Sequence, residues 1–186
     1  MAMRETFLIL HGIENHRPPQ HWQYWLAEQL RERGHTVTYP GLPEPDAPVY
    51  RVWEDALHTL LATTVDSRQT VVCHSLACLL WFRAAGELGR PVDRLLLVAP
   101  PASERVPASG ASFRLEQFDA TAVRAGVTRE LTIVCSDADP YNPDGAQRLY
   151  GDALGVRAHV LPGAGHVTPA EGFGPWPWAL AWCLDY

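Results

Sequence analysis

The sequence has no run of about twenty apolar residues, no cluster of basic side chains and no paired-cysteine motif, and each absence removes a class of protein. Without the long apolar run, no segment can span a bilayer as a helix. The apolar run at residues 6–10 is too short, before His11, for a secretory leader, so a cytoplasmic location is expected. Lys and Arg total 15 against 21 Asp and Glu, a formal net charge of -6. That balance offers no phosphate-binding surface, and nucleic acid is not an expected partner. The four cysteines, Cys73, Cys78, Cys135 and Cys183, sit in apolar segments without C-x-x-C spacing, which suits buried thiols better than disulfides or zinc. Neither an internal repeat nor a linker interrupts the 186 residues, a length that fits one domain spanning residues 1–186.

What is present is an alternation of short apolar strands and amphipathic helices. Strands are expected at 6–10, 35–39, 70–73, 92–99, 131–135 and 156–161, and helices at 21–33, 49–61, 76–85, 120–125, 143–154 and about 178–184. Four prolines within residues 40–48 make that stretch an extended loop, and residues 100–118 read as a second loop anchored by Phe113, Leu115 and Phe118. The strands lack polar alternation, the mark of a parallel sheet covered on both faces. The expected fold class is α/β: a compact sheet of about six parallel strands with helices on both faces and no cap domain. In such sheets function collects at the carboxyl ends of the strands.

The sharpest local signal is the stretch from Thr70 to Leu80, which changes from strand to helix at Ser75 with no Gly, Pro or Asn between. A chain that reverses so abruptly must pass through one strained turn, and Cys73-His74-Ser75-Leu76-Ala77 is the form of a nucleophile elbow, G-x-S-x-G, with both glycines replaced. The plainer alternative is a serine that caps a buried helix. Further along, Asp137 and Asp139 follow the fifth strand and His166 follows the sixth through Gly163-Ala164-Gly165. Ser, then Asp, then His is the chain order of the α/β-hydrolase triad. The expected roles are nucleophile for Ser75, general base and acid for His166, and orienting carboxylate for Asp139, with Asp137 competing for the last. Asp139 is preferred because Pro140 fixes the backbone after it and because it lies farther from the strand end. An oxyanion hole needs two N–H donors, expected from Leu76 and, in the loop after the first strand, from Ile13.

Gly12, His11 and Trp176 are candidates for the substrate pocket, although large aromatics near a C-terminal helix more often belong to the core, as Trp22 and Trp25 are expected to. His74 is expected to pack rather than react. His11, His16 and His21 recur every five residues, a spacing that does not align on one helical face, so no metal is expected, and no cofactor.

Taken together, Leu10-His11-Gly12, His21-Trp22-Gln23, the serine elbow, Asp139-Pro140, Gly163-Ala164-Gly165-His166 and Gly172-Phe173-Gly174-Pro175-Trp176-Pro177 carry a resemblance to a known family. Across nearly its whole length it resembles the small single-domain serine hydrolases typified by retinoblastoma-binding protein 9 and the bacterial YdeN-type proteins. The resemblance implies an α/β-hydrolase fold, a triad of Ser75, Asp139 and His166, and esterase-type action on small-molecule esters, with amides or thioesters as related substrates. The family takes its name from a protein partner, so the resemblance also leaves open a second class of role, an interaction module that keeps the fold. With only residues 100–118 where larger relatives carry a cap, the site is expected to be open and to accept varied acyl groups.

Overall fold

A computed structural model describes residues 5–63 and 68–185. Residues 1–4, the start of the stretch weighed above as a leader, lie outside it. Six strands, β1 (Glu5–Leu10), β2 (Thr36–Thr38), β3 (Arg68–His74), β4 (Val92–Val98), β5 (Val127–Ser136) and β6 (His159–Leu161), form one parallel sheet in the order β2-β1-β3-β4-β5-β6. Six helices pack around it: α1 (Trp22–Glu32), α2 (Tyr50–Ala62), α3 (Leu76–Ala84), α4 (Ala120–Ala125), α5 (Asp152–Leu154) and α6 (Pro177–Cys183). Among the described residues no helix is long and apolar enough to cross a membrane.

Successive residues of a strand point to opposite faces, and here both faces are core. Leu8, Leu10, Val71, Cys73, Leu95, Leu97, Ile133 and Cys135 pack under α2 to α5, whereas Phe7, Ile9, Val72, Leu96, Val98 and Val134 pack under α1 and α6. That is why the strands read as unbroken apolar runs. All four cysteines are free and buried, and burial pushes each thiol up from its usual range.

Three elements differ from the sequence expectation. The helix expected at 143–154 begins only at Gln147, as a π-wound turn (Gln147–Gly151) that runs into α5. The preceding residues are spent on turns: Asn142 N–H donates to the Asp139 carbonyl, and Gly145 N–H donates to that of Asn142. β6 is shorter than expected because the Val156 N–H returns to the Gly151 carbonyl and finishes the helix. β5 is longer, starting at Val127, since Val127 pairs with Val92 and Glu130 with Arg94 on β4, with the register shifting between them. There Glu130 meets Arg94, a buried cation that also donates to the carbonyls of Trp182 and Cys183 and so ties the end of α6 to the sheet.

Candidate active site

β3 lies at the centre of the sheet, and its last residue, His74, is followed directly by Ser75 and the first turn of α3. Ser75 has φ 56° and ψ -120°, a conformation that non-glycine residues rarely adopt. Its N–H continues the ladder to the Val98 carbonyl, and its own carbonyl accepts from Cys78 N–H. Cys73 and Ala77, which stand where glycines are usual, are completely buried between strand and helix. A small side chain is tolerated there, so the elbow forms without either glycine.

His166 stands over the serine. Its Nε2 lies 2.7 Å from Ser75 Oγ, and its Nδ1 lies 2.9 and 3.0 Å from the two carboxylate oxygens of Asp139. With Nδ1–H donated to the carboxylate, Nε2 is left with its lone pair toward the serine hydroxyl. All three residues are buried. Asp139 also accepts the Tyr141 N–H, and the Tyr141 ring packs on the imidazole at 4.6 Å. Asp137, the competing carboxylate, points elsewhere: it is exposed and accepts Gly163 N–H at 2.7 Å, which fixes the turn leading to His166.

The loop that carries His166 is itself strained. Val167, β-branched and fully buried, has φ 56°. Gly165, at φ 55°, could take no side chain, since a Cβ there would come within 2.5 Å of the Glu171 side chain. Two ring N–H groups hold this loop down. His74 Nε2–H donates to the His166 carbonyl and Trp22 Nε1–H to that of Val167, each at 3.0 Å. Gln23 extends the brace, donating from its side chain to the Leu10 carbonyl at the end of β1. From the sequence, Trp22 is expected in the core and His74 as a packing residue. Both are so placed, and both also donate to the histidine loop, which only the adjacency of α1 and the β6 loop reveals.

A cleft of about 600 Å³ opens above the serine. Gly12, Ile13, Leu76 and His21 line it with the apolar wall of Pro101, Val106, Pro107, Pro140 and Tyr141. Gly12 approaches so closely that a Cβ would lie 2.8 Å from Ser75 Cβ. The N–H groups of Ile13 and Leu76 have no backbone acceptor among the described residues. Two pocket candidates are corrected. His11 lies beneath the cleft, donating from Nδ1 to the Gly12 carbonyl and accepting Leu42 N–H at Nε2, so it shapes the loop rather than lining the cavity. Trp176 packs edge-on against Trp22 at 5.0 Å in the core beside α6. Phe113 and Phe118 are likewise packing residues, against Trp53 and Phe82.

The three spaced histidines are separately engaged. His11 binds backbone, His16 pairs with Asp46, and His21 caps α1. Among the described residues one trio, Glu54, His58 and Glu87, has the spacing to hold a metal ion. Glu54 is already occupied by Tyr50 and Arg51, and none of the three lines the cleft.

A family model described as serine hydrolase matches residues 7–183. Among solved structures, the chain is similar to the YdeN gene product of B. subtilis, at 21% identity over 98% of each chain with a TM-score of 0.82. It is also similar to a YdeN-like hydrolase from Pectobacterium atrosepticum, at 17% identity over 98% of this chain and 90% of that one, with a TM-score of 0.77. An esterase domain from Rhodothermus marinus follows at 16% identity, 97% and 87% coverage and a TM-score of 0.66. Among curated protein sequences none matches.

Proposed function

Since the chain belongs to the serine hydrolase family, we propose that it cleaves uncharged carboxylic esters through an acyl-enzyme on Ser75. The observation that carries this is the unbroken chain from the Asp139 carboxylate through His166 to the Ser75 hydroxyl, at 2.9 and 2.7 Å. A serine hydroxyl is a poor nucleophile until a base takes its proton, and Nε2 of His166 is within reach of it. In the first half-reaction the hydroxyl proton passes to Nε2 while Oγ bonds to the ester carbon. The resulting imidazolium is stabilised by Asp139. The carbonyl oxygen, now an oxyanion, takes hydrogen bonds from the N–H groups of Leu76 and Ile13, the first of them at the start of α3, where negative charge is favoured. The intermediate collapses as His166 returns the proton to the departing alcohol. Water then repeats the sequence on the acyl-enzyme and releases the acid.

The preference for uncharged esters follows from the lining. Its charged side chains are Glu14 and Glu171, with neither Lys nor Arg to meet a substrate carboxylate. An esterase domain among the structural relatives supports the ester over the amide. A fluorophosphonate probe tests the proposal. The native protein is expected to be labelled stoichiometrically at Ser75, and Ser75→Ala and His166→Ala to lose the label while remaining folded. An unlabelled, folded native protein would overturn it and turn attention to binding partners.

A further inference from the structure

We infer that His21 is a substrate-contact residue whose Nε2–H recognises a hydrogen-bond acceptor on the alcohol portion of the ester. The inference rests on the serine hydrolase reading above and goes beyond it by assigning a residue outside the triad and a feature of the leaving group.

His21 is almost fully buried, yet it lines the cleft. As N-cap of α1 it accepts the Gln23 N–H at Nδ1, which fixes that nitrogen as the unprotonated one. A neutral imidazole carries one proton, so Nε2 holds it. Burial, with the neighbouring rings of His11 and His166, lowers the imidazole to about 4, so the ring is neutral near pH 7. Nε2 has no acceptor among the described residues, and it is not among the buried polar atoms sealed without a partner. The cap therefore leaves one oriented donor at the cleft wall. A polar group so placed in a largely apolar pocket fixes orientation and specificity.

The side of the cleft follows from the chemistry. His166 must hand its proton to the leaving oxygen, so the alcohol departs on the His166 side. α1 and the loop after β6 pack on the same face of the sheet, sharing Trp22, Val167 and Trp176. The His74 ring lies between the two histidines, with centroids 5.3 Å from each. His21 is thus placed beside the departing alcohol. Alcohols that bear a second oxygen, such as ethers or polyols, match it, and plain alkyl alcohols do not.

The test compares methoxyethyl butyrate with n-butyl butyrate, which differ by one oxygen in place of one methylene. Both pass through the same butyryl-enzyme, so the ratio of their kcat/KM values reports on acylation alone, and comparing that ratio between variants cancels intrinsic reactivity. His21→Asn keeps a side-chain oxygen for the cap and removes the Nε2–H. It is expected to retain the native melting temperature and to lower the ratio by about three- to tenfold, the span of one neutral hydrogen bond. His21→Gln, which returns an amide N–H near the Nε2 position but caps poorly, is expected to keep most of the ratio at a lower melting temperature. An unchanged ratio in folded, hydrolytically active His21→Asn overturns this inference alone. Failure of the native protein to cleave either ester or take the fluorophosphonate label overturns the function reading and this inference together.

Discussion

Gly12 and Ser75 approach each other closely enough that the absence of one methyl group decides whether the site can form. A Cβ on Gly12 would sit 2.8 Å from Ser75 Cβ and 3.2 Å from its hydroxyl oxygen, and it would meet the His74 carbonyl at 3.3 Å. Two of these neighbours are side-chain atoms of Ser75, whose backbone is already held at positive φ, with little room to yield. Gly12→Ala is expected to lower kcat/KM by on the order of a hundredfold, the cost of a misplacement near one ångström. Circular dichroism would show the fold retained; an unimpaired variant would mean that the loop after β1 shifts freely. At this scale the sequence was legible wherever chemistry suggests residue types in a given chain order: it singled out Ser75, Asp139 and His166, which the fold brings within hydrogen-bond reach of one another. It was silent on Trp22, Gln23 and His74, whose donors matter only because distant segments meet. A tryptophan on an apolar helical face carries no sign that its N–H will reach Val167.

Among elements, the loop between β6 and α6 works against its own backbone preference. A buried valine at φ 56° costs on the order of 1–3 kcal/mol and persists only where its surroundings impose it, as the donors on α1 and β3 do. Trp22→Phe keeps the ring in the core but withdraws the hydrogen bond to the Val167 carbonyl. The expected cost is about 1–3 kcal/mol in urea unfolding, from leaving a buried acceptor unpaired. If α1 positions the base, kcat falls while KM for a short ester stays close to native; equal changes in both would identify a packing role only. Strands and amphipathic helices were readable because their two periods are plain in the apolar residues. The segment at 143–154 was not. Pro143 near its start and Gly155 past its end look like the bounds of a helix, but residues 139–145 close successive turns around Asp139, a demand of the site that no local pattern announces.

For the molecule as a whole, the buried histidines set the response to acid. His11, His21 and His74 are all lowered, chiefly by burial, His74 well below its usual value and His21 to about 4. An unfolded chain takes up protons at these sites as pH falls below about 6.5, whereas the folded chain refuses them until each lowered value is reached. Stability is therefore complete above about pH 6.5 and declines as pH falls through the window below it. For His21 alone the loss reaches about 3 kcal/mol near pH 4. Urea midpoints are expected to drop between pH 7.5 and 4.5, with a shallower slope in His21→Asn; a flat profile would contradict the neutral, buried state of these rings.

Ser75, Asp139 and His166 follow different strands, and His166 follows β6, a three-residue strand at the edge of the sheet and the last to be reached along the chain. The serine elbow, by contrast, is complete once β3, β1 and β4 have met. During synthesis Ser75 is thus laid down some ninety residues before His166. A growing chain would carry Ser75 with no imidazole beside it, and the contact forms only when the final edge closes, so the order of the strands along the chain sets the order in which the site is assembled.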